Sequence, residues 1–160
     1  MKKILLFVVA MFIAVGAQAQ DEKPMKIITN YPDFKVKVKR CAASDKTVII
    51  DLLFSNVSSS DVEMSVYGGS SSVAYDDEGN MYKDSGLEAM VANTGDWSRY
   101  NGNGRFTLPA DVPVKVSIKL EGVPSSAESI PRLMVTVDCS KWGLDRQKQL
   151  KITNIPISRD

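Results

Sequence analysis

The sequence predicts an all-β sandwich of seven to nine short, mostly antiparallel strands. Three observations carry this. Residues 47–56, TVIIDLLFSN, give the strongest strand signal of the 160-residue chain. Residues 112–120 alternate strictly between apolar and polar. Between the apolar stretches lie turn-forming clusters of Gly, Pro, Asn, Asp and Ser, and no stretch shows a convincing helical repeat.

In residues 47–56, Val48, Ile50, Leu52 and Phe54 share one parity and are all apolar; Ile49, Asp51, Leu53 and Ser55 share the other and are mixed. Side chains alternate across a strand, so one face belongs in a core and the other is partly covered. Periodicity alone does not separate a short apolar strand from a buried helix. The flanks, Ser-Asp-Lys before and Asn-Val-Ser-Ser-Ser after, favour the strand.

Upstream, residues 34–40 set Phe34, Val36 and Val38 against Lys35, Lys37 and Lys39, a strand solvated on its lysine side and suited to a sheet edge. Downstream, residues 62–67 and 71–75 read as strand segments. Gly68-Gly69 between them marks a bulge or a close backbone approach. Asp76-Asp77-Glu78-Gly79-Asn80 before Met81-Tyr82 reads as a hairpin turn. It also resembles a fragment of a calcium loop, but the spaced glutamate of an EF-hand is missing. Residues 83–104 are the least regular, with one short apolar run at 87–91.

Residues 106–108 resume strand character. Within 112–120, Val112, Val114, Val116, Ile118 and Leu120 form one apolar face. Residues 125–129 suit a single helical turn, 132–139 a third strong strand, and 149–157 a last one. In the last, the apolar parity changes between Ile152 and Ile155, which predicts a bulge near Thr153-Asn154, and Pro156 confines that end to an edge.

Residues 1–19 read as a cleaved signal peptide. Lys2 and Lys3 precede about 14 mostly apolar residues, short of the roughly 20 that span a membrane, and Ala17-Gln18-Ala19 offers a small-x-small cut before Gln20. Residues 20–160 are then expected to form a single exported domain, periplasmic or secreted, and not an integral membrane protein. Removing the leader takes the formal charge from +1 to −1, which gives no reason to expect nucleic acid as a partner.

Cys41 and Cys139 are the two cysteines, and in an exported chain they form a candidate disulfide. It would close a loop of about 98 residues, worth on the order of 4 to 5 kcal/mol in the chain-entropy account. Parity resists it. Cys41 shares its parity with the lysines, so it reaches a core only if the strand bulges near Arg40. Two separate thiols are the other reading.

The chain has no histidine. Histidine-based nucleophile triads and zinc sites are therefore absent, and so are a P-loop, a dinucleotide fingerprint and a nucleophile elbow. A serine–lysine or carboxylate pair stays open, since it needs only common residues. The expectation is a non-enzyme with no cofactor, no metal site and no catalytic residue. The candidate binding residues are Trp97, Arg99 and Tyr100, in a Gly/Asn-rich loop, and Trp142. Aromatic rings with arginine are enriched at binding hot spots, and rings also stack on sugar faces. The other reading folds each tryptophan back as a lid over the core. Asn56-Val57-Ser58 matches the glycosylation pattern, on which nothing is placed.

Several motifs together resemble secreted bacterial immunoglobulin-like domains of unknown function. They are Leu-Leu-Phe-Ser-Asn at 52–56, Asp-x-x-Gly-Asn-x-Tyr at 76–82, Phe-Thr-Leu-Pro-Ala-Asp-Val-Pro-Val-Lys at 106–115, Gly-Val-Pro at 122–124 and Ile-x-Asn-Ile-Pro-Ile at 152–157. The resemblance implies an immunoglobulin-like β-sandwich, exported and non-enzymatic. The function expected is a binding or interaction module for an unknown protein or envelope material; the alternative is a carbohydrate-binding module using loop aromatics.

Overall fold

The computed structural model describes residues 23–29, 31–92, 96–98, 105–143 and 147–159. The expected leader, with Arg99 and Tyr100, lies outside them. The described strands are β1 (Lys26–Ile27), β2 (Phe34–Ser44), β3 (Thr47–Asn56), β4 (Val62–Tyr67), β5 (Val73–Tyr75), β6 (Met81–Tyr82), β7 (Leu87–Val91), β8 (Arg105–Leu108), β9 (Val114–Glu121), β10 (Ser129–Cys139), β11 (Gln147–Pro156) and β12 (Ser158–Arg159). Setting aside three two-residue pieces leaves nine, the upper end of the expected range.

Two sheets face each other. One runs β12-β2-β3-β9-β7; the other runs β1-β11-β10-β4-β8, with β5 also beside β10 and β6 beside β5. Taken as A to G, β2, β3, β9 and β7 are the A-B-E-D sheet, and β4/β5, β10 and β11 the C-F-G sheet. This is the immunoglobulin-like arrangement. β3 sits in the middle of its sheet. Its Val48, Ile50, Leu52 and Phe54 are wholly buried, while Ile49, Leu53 and Ser55 on the other face are half-covered. Opposite them lie Leu133, Val135 and Val137 of β10 and Leu150 and Ile152 of β11, all fully buried.

The irregularities have local causes. The register of β2 against β3 shifts between Val38 and Arg40; this is the bulge that parity made the condition for Cys41 to reach the core, and Cys41 is buried. β4 and β5 are one line along β10 interrupted at residues 68–72. Thr136 of β10 faces Tyr67, and Met134 faces Val73. Ser72 stitches this gap, donating to the Tyr67 carbonyl at 2.5 Å and accepting from the Thr136 N–H at 3.0 Å. The Thr136 hydroxyl also donates to the Ser71 carbonyl. Gly68 is a close approach: a Cβ there would stand 2.5 Å from the Ser98 carbonyl oxygen.

Three expectations need correction. No bulge offsets β11 near Thr153-Asn154. Ile130 pairs with Ile155 and Arg132 with Thr153, one register on both sides. The parity change is real but shared: buried Ile152 and Ile155 on β11 pair with buried Leu133 and Ile130 on β10, and Asn154 between them has φ 55°. Residues 87–91, given no strand above, form β7 and close the edge of the five-stranded sheet against β9. Val112 is exposed rather than in the apolar face, because Pro113 delays β9 to Val114.

Cys41 and Cys139 are both buried free thiols, not a disulfide. Cys139 ends β10 beside Ser140–Trp142, and Trp142 packs on Phe34 at the start of β2. Cys41 lies seven residues further along β2. At about 3.3 Å per residue that separates them by roughly 20 Å, at opposite ends of the sandwich.

Candidate functional site

The outer face of the five-stranded sheet carries a cluster of lysines. Lys35 and Lys37 project from β2 on the side away from the core, and Lys39 and Arg40 follow at the bulge; all four are exposed. Lys37 pairs across β3 with Leu53, and Leu53 pairs with Lys115 of β9. A half-buried leucine is thus flanked by two lysines in one cross-strand row. No ion pair among the described residues engages Lys35, Lys37, Lys39 or Lys115.

The next rows across the face are balanced. Asp51 is buried on β3, accepting from the Ser117 hydroxyl at 2.6 Å and from Arg40 Nε at 3.2 Å. Lys119 on β9 meets Glu88 of β7 at 2.5 Å and Glu121 at 2.9 Å. Burial pushes the Lys119 ammonium pKa down, but hydrogen bonds and charge from Glu88 and Glu121 outweigh it and hold the value above the usual range. These acids neutralise the β7 side, so the free positive charge concentrates on β2 and Lys115.

Trp97 lies beside this face. Ser98 bridges to Ala89, which places Trp97 alongside β7, half-buried, with Lys119 Nζ 4.9 Å above its ring. Trp142 is elsewhere. Its Nε1 donates to Asp33 Oδ2 at 2.8 Å, and its ring packs on Tyr31 and Phe34 at 5.0 and 5.9 Å. Lys148 Nζ stands 4.7 Å over it. It is a lid on the end of the core near the start of β2. Three strand spacings, roughly 14 Å, separate that edge from β7, so Trp97 and Trp142 do not share a surface. Arg99 and Tyr100 lie outside the described residues.

The acidic hairpin is occupied by its own backbone. Asp76 is buried and accepts from the N–H groups of Glu78 and Asn80 at 3.1 and 2.8 Å, from Asn80 Nδ2 at 2.9 Å and from the Tyr82 hydroxyl at 2.6 Å. Burial pushes its pKa up, but the bonds from Tyr82, Asn80 and Glu78 outweigh it and lower the value. Asp77 accepts from the N–H groups of Glu128 and Ser129, which pins the hairpin to the start of β10. No group of three or more His, Cys, Asp or Glu among the described residues is placed to hold a metal ion. Asn56 Nδ2 is also committed, to the Ser60 and Leu108 carbonyls, which ties the Asn-Val-Ser sequence into a turn.

On the opposite sheet a polar cleft of about 20 Å³ is lined by Glu63, Met64, Ser65, Arg105, Asp138 and Ser140. It has room for one water. No helix among the described residues is long and apolar enough to cross a membrane.

No protein-family model matches the sequence, and no curated protein matches it. Among solved structures the chain is similar to the ASH/PapD-like domain 7 of human CEP192, with 14% identity over 83% of this chain and 89% of that one, at a TM-score of 0.43. It is also similar to part of a family 123 glycoside hydrolase from Clostridium perfringens, described for glycolipid glycan hydrolysis, with 9% identity and a TM-score of 0.42. That match covers 74% of this chain and 22% of the hydrolase. The immunoglobulin-like class rests on the strand order above.

Proposed function

We propose that the chain is an exported, non-catalytic binding module that recognises acidic envelope or protein material through the outer face of its five-stranded sheet. The observation that carries this is the row Lys37–Leu53–Lys115 with Lys35 and Lys39 beside it, four lysines on one face that no ion pair among the described residues engages. Such a face attracts an anionic partner over about a Debye length and gives it an apolar contact at the centre. Export is supported by the leader-like residues 1–19. The glycan-stacking alternative is less well supported, because each tryptophan ring already has a lysine over one face.

The test uses residues 20–160 titrated with polygalacturonate and poly-glutamate as anionic probes, with dextran and polylysine as controls. The anionic probes should bind at low salt, weaken as salt rises, and be lost in the triple variant Lys35→Glu, Lys37→Glu, Lys115→Glu. Equal binding by that variant, or binding of polylysine instead, would refute the proposal.

A further inference from the structure

β2 has an open edge. Ten of its eleven residues, all but Lys39 at the bulge, pair with β3 along one side, while on the other only Ala42 and Ala43 have a partner among the described strands, in β12. Tyr31 and Trp142 close the beginning of the strand by packing on Phe34. Between these closures, from Lys35 to Arg40, no described strand lies alongside. Val36 and Val38 face the core there, yet both stay half-buried, whereas their cross-strand neighbours Phe54 and Leu52 are fully buried. Among the described residues, then, the outer edge of 35–40 lacks a pairing strand in the same stretch where Val36 and Val38 are incompletely covered.

We infer that this edge takes up an extended segment of a partner protein, about six residues long, in which apolar side chains alternate with acidic ones. The inference rests on the electrostatic reading above and names its partner. The length follows from the gap, six residues or roughly 20 Å, which β12 ends on one side. The chemistry follows from parity. An added strand places alternate side chains next to Val36 and Val38, where apolar groups complete the core, and the others next to Lys35, Lys37 and Lys39, where carboxylates meet uncompensated ammonium groups. A second copy of the chain is a poor occupant, because β2 edge to edge with itself brings lysines against lysines. The bulge after Val38 twists the strand and limits pairing beyond Arg40.

The experiment compares labelled, acetylated hexapeptides by fluorescence anisotropy and by amide shifts of the 20–160 chain. One alternates Val and Glu; a second has the same composition in two blocks. Two further alternating peptides are N-methylated at odd or at even positions, which removes the hydrogen bonds of one strand edge each. Strand addition predicts that the alternating peptide binds at least about tenfold more tightly than the block isomer, since in any register the block isomer sets a carboxylate beside Val36 or Val38 and a valine among the lysines. It also predicts that one N-methylated peptide binds, that the other does not, and that the shifts centre on residues 35–40. Equal binding by both isomers and both methylated forms would overturn strand addition while leaving the electrostatic reading intact. No binding by any peptide would overturn it too, and the polyanion titration would then decide the electrostatic reading separately.

Discussion

Replacing Asp76 should unfold the protein more readily than any other change on the β5–β6 hairpin. The carboxylate accepts four hydrogen bonds. Glu78 and Asn80 are exposed, so water can replace much of what they lose. Tyr82 is buried, and its hydroxyl has no such substitute. Asp76→Ala leaves that donor unsatisfied, about 1–3 kcal/mol, and removes charge-assisted bonds to two backbone N–H groups. We expect a total near 3 kcal/mol, a large part of the roughly 5–15 kcal/mol of a typical domain. With a urea slope of about 1.5 kcal/mol per molar, the midpoint falls by about 2 M. Asp76→Asn retains one acceptor oxygen for the two N–H groups and should cost less, about 1–2 kcal/mol. The two variants also carry a pH signature. The folded pKa of Asp76 lies below its unfolded value, so its contribution is full above about pH 4 and is lost as pH falls through the lowered folded value. The gap between wild type and Asp76→Asn should therefore narrow in acid. Urea melts followed by circular dichroism between pH 3 and 7 measure both effects. An Asp76→Ala variant within about 0.5 kcal/mol of wild type would show that the hairpin is not held by this carboxylate.

Three further outcomes are expected. Gly68→Ala forces a methyl group to 2.5 Å from the Ser98 carbonyl and 3.1 Å from the Ala89 nitrogen, both backbone atoms, and should cost about 2–3 kcal/mol in a thermal melt; a neutral result would mean that residues 96–98 do not pack there. Cys41 and Cys139 should resist a thiol reagent in the native protein and both react once it is unfolded, with no change of Tm on adding reductant. Burial supports this: it pushes the Cys41 thiol up to about 12, Arg159 offsetting it only in part, and raises Cys139 as well. A Tm that falls with reductant would point to a disulfide instead. Trp142→Ala removes the bond to Asp33 and a ring packed on Tyr31 and Phe34, and should cost about 2–3 kcal/mol by chemical denaturation, since the site is only half-buried; no loss would remove Trp142 from its role as a lid.

The pattern of inward and outward side chains was readable because strands repeat every two residues. β3 has the bounds that its alternation indicates, whereas the parity of Cys41 alone put it with the lysines, and the bulge in β2 is what turns it to the core. β7 was harder to read. Leu87, Ala89 and Val91 do share the core parity, but five residues with apolar Met90 between them are too short a run to read alone, and pairing with β9 makes it a strand. Three of the four lysines of the candidate surface were likewise visible, on β2. Lys115 joins them only because β9 pairs with β3.

By itself, then, the chain determined the fold class, the face each side chain takes on the main strands, and the absence of histidine chemistry. Those properties lie in composition and in neighbours two residues apart. The tertiary structure alone decided that Cys41 and Cys139 sit at opposite ends, that Trp97 and Trp142 occupy separate surfaces, and that Asp76 is a buried hydrogen-bond acceptor rather than an open acidic turn. It also decided that, among the described residues, no strand beyond β3 pairs with residues 35–40 of β2. Each depends on which strands lie side by side and which ends coincide, a long-range arrangement that local alternation does not encode.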